Sequence, residues 1–67
     1  MKAAIYREDT NYQTKVAEVH QYTDGSYRIN LITISRAAEL PEVYDTFEEA
    51  EAAVHDLLRL SGCTRIY

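Results

Sequence analysis

The chain has 67 residues, of which 46% are apolar and 27% charged, and its formal net charge is −4 at pH 7. A chain this short buries only about 60% of the surface that its unfolded form exposes, so the length predicts a single compact domain over residues 1–67 and leaves no room for a two-domain cofactor-binding enzyme. Its one cysteine cannot form an internal disulfide, and its composition is typical of globular rather than disordered proteins.

Charge is unevenly distributed along the chain. Residues 1–36 carry five bases against four acids, a net charge of +1, whereas residues 37–67 carry two bases against seven acids, a net charge of −5. An acidic chain repels nucleic acid and attracts basic protein surfaces, so we expect a protein partner and no direct binding to duplex DNA. There is no apolar run of membrane-spanning length, and residues 1–7 lack the apolar stretch of a signal peptide, so together with the free thiol we expect a cytoplasmic protein without membrane contact.

Alternating apolar and polar residues predict three strands in the first half of the chain, at residues 2–7, 12–22 and 27–36. Asp24 and Gly25 stand between the second and third runs, and this dipeptide is typical of a hairpin turn because glycine accepts positive φ without strain. The alternation of the third run breaks at Leu31 and Ile32. This indicates either a β-bulge or a strand that is partly covered on both faces.

The second half of the chain predicts a connection at residues 37–41, a short strand at 42–44, a helix over 47–60 and a last strand within 63–67 with Ile66 facing the core. Thr46 and Glu49 match a capping box at the helix start, and Gly62 suits the position just after the helix end. The residues predicted to form one apolar stripe are Phe47, Ala50, Val54, Leu57 and Leu58.

These elements predict an α+β fold of order β-β-β-β-α-β, with an antiparallel sheet of four to five strands and one helix packed on one face. One helix covers only part of such a sheet, so the opposite face, here called the open face, must be solvated or occupied by a partner. A face that only contacts water needs no exposed apolar side chains. Two exposed isoleucines beside a tyrosine and two arginines therefore favour a face that binds a partner. By strand parity, the residues on the open face are Glu18, His20, Tyr22, Arg28, Asn30, Ile32, Ile34 and Arg36.

The sequence carries no recognisable catalytic, cofactor or metal motif, so we expect a protein that is not an enzyme. His20, His55 and Cys63 lack the spacing of a metal site, and Cys63 is best interpreted as a packing residue. Two glycines cannot form a glycine-rich phosphate loop. The helix carboxylates Glu48 and Glu51 are predicted to project away from the apolar stripe, where they form either a solvated flank or an acidic docking surface.

Residues 26–58 combine a long strand, the short strand of Val43 and Tyr44, and a helix that begins after Thr46. In this respect they resemble the three-strands-plus-helix arm-binding domains of phage integrases. The resemblance implies a sheet that reads a DNA major groove through basic and polar residues, with Arg28, Asn30 and Arg36 in those places.

The profile of the whole chain resembles that of small phage-encoded anti-CRISPR and anti-defence proteins: it is short, acidic, poor in cysteine and free of catalytic motifs. This resemblance implies an inhibitor that occupies a host complex, often at its basic nucleic-acid groove.

We therefore predict a non-enzymatic protein-binding module that inhibits a larger nucleic-acid-binding complex. The module itself is predicted to be a monomer or a homodimer. The alternatives are a sheet-face DNA-binding module and a small homodimeric structural protein that buries its open face. The predicted partner-binding residues are Tyr22, Arg28, Asn30, Ile32, Ile34 and Arg36 on the sheet, and Glu48 and Glu51 in the acidic segment.

Overall fold

The computed structural model describes residues 1–8, 15–58 and 63–67. These residues form an α+β fold in which one helix packs on a five-stranded antiparallel sheet, as predicted. Along the chain the elements are β1 (Lys2–Glu8), β2 (Val16–Gln21), β3 (Tyr27–Ile32), β4 (Ala37–Glu39), α1 (Phe47–Leu58) and β5 (Cys63–Arg65). The strand order in the sheet is β4-β3-β2-β1-β5, so β4 and β5 are its edges.

The predicted hairpin at Asp24 and Gly25 joins β2 to β3. The amide of Gly25 donates to the Tyr22 carbonyl at 3.0 Å, and the amide of Tyr22 donates to the Ser26 carbonyl at 2.8 Å. Gly25 has a φ of 86°, a conformation that glycine adopts without steric cost. The amide and hydroxyl of Ser26 both donate to Asp24 Oδ1, which closes the turn and lowers the pKa of Asp24. This turn sets the register of the central strand pair.

The third strand is shorter than predicted, and the break in its alternation lies within it, where Leu31 and Ile32 are half-buried on opposite faces. The pairing of β2 with β3 runs without interruption up to Val16 opposite Ile32, so β3 contains no bulge. The chain then turns, and the Thr33 amide donates to the Arg36 carbonyl at 2.8 Å. The prediction of a strand through residue 36 is therefore wrong. The turn contains no glycine and no positive φ, which is why the sequence carried no signal for it.

The fourth strand lies at Ala37–Glu39, not at residues 42–44. Alanine and glutamate are weak strand formers, and this segment is extended because it pairs with the exposed edge of β3. Of the predicted 42–44 strand, Tyr44 forms an isolated bridge with Tyr27.

The helix begins where the capping box predicts. The Glu49 amide donates to Thr46 Oγ1 at 3.2 Å, and the Thr46 hydroxyl donates to Glu49 Oε1 at 3.1 Å. The described helix reaches Leu58; the predicted last turn at residues 59–60 and the cap at Gly62 lie outside the described residues.

The buried face of α1 differs from the predicted stripe at one position. Ala50, Val54 and Leu58 are buried, whereas Leu57 is 41% exposed. Leu57 lies about 100° around the helix axis from Leu58, so the stripe alone does not distinguish the two leucines. Assigning Leu57 to the core was wrong.

The core lies between α1 and the sheet strands. Its largest fully buried side chains are Tyr6, Val19, Ile29, Val54 and Leu58, and α1 contacts β2 and β3. Ile66, predicted to face the core, is exposed. The core therefore occupies one face of the sheet, and this arrangement defines the open face opposite it.

Candidate functional site

The open face is fixed by the cross-strand register. Ala17, Val19 and Ile29 are buried beneath the helix, so their sequence neighbours in β2 and β3 point to the other side of the sheet. The register aligns one row of side chains across four strands: Ile5, Glu18, Asn30 and Glu39. The predicted placement of Glu18, His20, Arg28, Asn30 and Ile32 on this face agrees with that register.

One end of the open face carries a linked group of three side chains, which we call the Tyr22 cluster: Tyr22, Arg28 and Glu39. The Tyr22 hydroxyl donates to Glu39, and this hydrogen bond is the main reason that the pKa of Tyr22 is raised. The Arg28 guanidinium carbon lies 4.6 Å from the centre of the Tyr22 ring, and its Nη1 lies 3.4 Å from Glu39 Oε1. The buried Nε of Arg28 has no hydrogen-bond partner. The cluster thus presents an aromatic ring and a guanidinium in a fixed arrangement.

A second charged group lies beside the Tyr22 cluster. Glu18 Oε1 is 3.0 Å from His20 Nε2, and Glu18 Oε2 is 3.6 Å from Lys2 Nζ. The hydrogen bond with His20 is the main cause that lowers the pKa of Glu18, and the charge of Lys2 adds to it. A shallow depression of about 290 Å³ opens next to these groups, lined by Met1, His20, Gln21, Tyr22 and Thr23.

The other end of the open face is largely apolar, with the exposed Arg7 opposite Val16. Val16 lies directly opposite Ile32, and Ile5 lies diagonally across from Val16. We call these three half-buried residues the apolar patch. Because α1 packs on the other face, none of the described elements lies over it. The open face therefore joins an apolar patch to a charged cluster.

Ile34 and Arg36 were predicted to lie on this face as part of β3, and that part of the prediction is wrong. They occupy the turn between β3 and β4, where Ile34 is 76% exposed. Arg36 is also exposed, and its carbonyl accepts the hydrogen bonds that close the turn. Both residues therefore extend from the end of the sheet next to the apolar patch.

The two helix carboxylates differ in their surroundings. Glu48 is exposed in the first turn, as predicted. Glu51 accepts a hydrogen bond from the buried Tyr6 hydroxyl and lies 3.7 Å from Arg65 Nη1. The prediction that Glu51 projects into solvent is wrong, because β1 and β5 bring Tyr6 and Arg65 beneath this side of the helix.

Sequence reasoning also missed a contact between His55 and Cys63. His55 Nδ1 lies 3.4 Å from Cys63 Sγ, and the His55 ring meets the Tyr6 ring edge-on at 5.9 Å. Glu8, opposite Cys63 in the sheet, is buried and its Oε1 has no hydrogen-bond partner. Alternate residues of a strand share a face, so Glu8 lies on the same buried face as Ala4 and Tyr6, and this alternation could have predicted its burial.

Within residues 1–8, 15–58 and 63–67, no group of three or more His, Cys, Asp or Glu side chains is placed to hold a metal ion. Neither His55 nor Cys63 lines the depression beside Tyr22. The open face is consequently the best candidate site in the described part of the chain.

Comparisons of the chain with protein-family models, curated proteins and solved structures find no match. Among the described helices, none has the length and apolar character needed to cross a membrane.

The hydrogen bond from Tyr6 to Glu51 gives a direct prediction. Tyr6 is 1% exposed, and Tyr6→Phe removes the hydroxyl while it keeps the ring. We expect the free energy of unfolding at neutral pH to fall by about 1–2 kcal/mol, because a hydrogen bond to a charged acceptor is lost. Urea denaturation of the two proteins measures this difference.

The same pair predicts the alkaline limit of stability. Burial, followed by the hydrogen bond to Glu51, raises the pKa of Tyr6 in the folded chain. Its contribution to stability is therefore complete below the unfolded tyrosine pKa of about 10 and declines as the pH rises past that value. Between about pH 9 and pH 11, the wild type should lose more stability than Tyr6→Phe. Parallel stability curves for the two proteins would contradict this assignment.

Proposed function

We propose that this chain is a non-enzymatic protein-binding module and that the open face is its docking surface. The observation that carries the proposal is the composition of that face, where the apolar patch of Ile5, Val16 and Ile32 adjoins the Tyr22 cluster. Interfaces typically combine an uncovered apolar centre with aromatic and arginine side chains. A solvated face requires no such isoleucines, and the exposed Ile34 enlarges the apolar area.

The charges of the face favour a protein partner over nucleic acid. Arg28 is paired with Glu39 and Lys2 with Glu18, so two of the basic groups that a phosphate backbone would need are already neutralised. A partner surface that carries both apolar and charged groups complements this face better.

The chemistry of the partner is proposed from charge. The net charge of −4 attracts a basic surface, such as the nucleic-acid groove of a larger complex, at long range, while the open face, which carries few of the acids of residues 37–67, makes the contact. The proposal is therefore an inhibitor of the anti-defence type, acting in the cytoplasm by occupying that complex. The alternative is that the open face binds a second copy of this chain and forms a homodimer.

Duplex DNA provides a test between the two partner classes. We expect no measurable binding of duplex DNA by the isolated chain at physiological salt, because the chain is net negative and two of its bases, Lys2 and Arg28, are paired with carboxylates. A gel-shift titration measures this. Micromolar or tighter binding with a steep salt dependence would favour the integrase-like interpretation instead.

Affinity capture with matched baits tests the proposal itself. One bait is the wild type, the second carries Arg28→Ala and Ile32→Ala on the open face, and the third carries Glu48→Ala at an exposed position on the helix. The third bait is the control for the loss of a charged side chain outside the open face. We expect a protein retained by the first and third baits and lost from the second. Equal retention by all three baits, or a homodimer that dissociates only in the second variant, would argue against the proposal.

A further inference from the structure

A second groove lies on the helix side of the molecule, away from the open face. It runs between α1 and the segment that follows β4, encloses about 350 Å³, and is lined by Leu40, Glu42, Tyr44, Ala53, Asp56 and Leu57. No interaction proposed above uses it.

The floor of this groove is apolar and firmly held. Leu40, Tyr44 and Ala53 pack against the core, and backbone hydrogen bonds tie the first two to β3. The Leu40 amide donates to the Ile29 carbonyl at 2.8 Å, and the Tyr44 amide donates to the Tyr27 carbonyl at 2.9 Å. The groove is therefore present before any partner binds, which reduces the entropic cost of binding.

Leu57 forms part of the wall and is unusually exposed for a leucine, at 41%. Val43, between two lining residues, is exposed as well. Together these side chains leave apolar surface in contact with water beside a concave floor, which is the usual arrangement of a pocket for an apolar side chain.

The rim of the groove is acidic. Glu42 and Asp56 are exposed, and within residues 1–8, 15–58 and 63–67 neither takes part in an ion pair. Burial, with the charge of Glu42 adding to it, raises the pKa of the Tyr44 hydroxyl. Two exposed carboxylates beside an apolar floor attract cationic groups and repel phosphates and anionic lipid surfaces.

We propose that this groove binds a basic peptide segment of a partner protein, with a leucine-like side chain on the floor and flanking Lys or Arg side chains at Glu42 and Asp56. This binding is independent of the open face. It gives the chain a second contact, and two linked contacts on one partner raise the overall affinity.

The test is an NMR titration of the labelled chain with the blocked peptide Lys-Arg-Leu-Leu-Arg-Lys. Two control peptides replace its charged residues with Glu and Asp, or its leucines with serine. We expect saturable shifts of the amides of residues 40–44 and 53–57 at peptide concentrations up to about 1 mM, and none with either control peptide. Shifts at residues 16–22 and 27–32 alone would show that the peptide binds the open face and not the groove. The titration therefore tests the groove separately from the open face.

Three variants complete the test. Glu42→Gln with Asp56→Asn should weaken peptide binding by at least about fivefold, because the charged contacts with the peptide are lost. Leu57→Ala should weaken it by a similar factor, because apolar contact with the peptide leucine is lost. Glu48→Gln, an equivalent charge change outside the groove, should stay within about twofold of wild type. The proposal is overturned if no saturable shift occurs, if the control peptides bind equally, or if shifts at the groove depend on protein concentration alone, which would make a second copy the occupant.

Discussion

Replacing Leu58 with alanine is expected to lower the free energy of unfolding by about 2–5 kcal/mol, because Leu58 is 1% exposed and its removal leaves a cavity between α1 and the sheet. A domain of this size has little stability to spare, so the variant should be largely unfolded at moderate urea concentrations.

The neighbouring leucine is the matched control. Leu57→Ala removes the same atoms from a side chain that is 41% exposed, and it should change stability by less than about 1 kcal/mol. Urea denaturation followed by circular dichroism compares the two variants. If Leu57→Ala proved as damaging as Leu58→Ala, the rotation of the helix on the sheet would have to be assigned differently.

The second large effect concerns the open face. On a captured partner, Arg28→Ala and Ile32→Ala are each expected to accelerate dissociation by about tenfold or more, because central arginine and apolar side chains account for most of the binding energy of an interface. Glu48→Ala should alter the dissociation rate by less than about twofold, since an exposed charge acts mainly on association. Surface plasmon resonance measures these rates.

Ile32 requires a stability control because it is half-buried. The melting temperature of each variant is therefore measured beside the kinetics. Faster dissociation with an unchanged melting temperature supports direct contact, whereas unchanged dissociation for both variants would exclude the open face as the docking surface.

The sequence predicted the features of the fold that depend on local signals. The glycine at position 25 predicted the hairpin, and Thr46 and Glu49 predicted the helix start, because each satisfies a specific backbone requirement. Strand parity placed most of the open-face residues correctly, since adjacent side chains in a strand must point to opposite faces.

The errors arose where tertiary contacts decide the outcome. Ala37–Glu39 is extended through pairing with β3, and nothing in its own residues required this. Leu57 and Leu58 are equivalent in sequence, and only packing distinguishes them. From the sequence, Glu51 is predicted to be a solvated helix carboxylate. In the structure it contacts Tyr6 of β1 and Arg65 of β5, which are distant from it in the sequence. The same holds for the contact of His55 with Cys63, whose partners belong to different elements.

The docking surface is tested most directly by a methyl NMR spectrum of the chain, labelled at isoleucine, leucine and valine, with and without its bound protein partner. We expect the methyl signals of Ile5, Val16 and Ile32 to shift or broaden on binding, while those of Val54, which is fully buried between the helix and the sheet, change far less. Unchanged methyl signals of Ile5, Val16 and Ile32 would contradict the assignment of the open face as the docking surface.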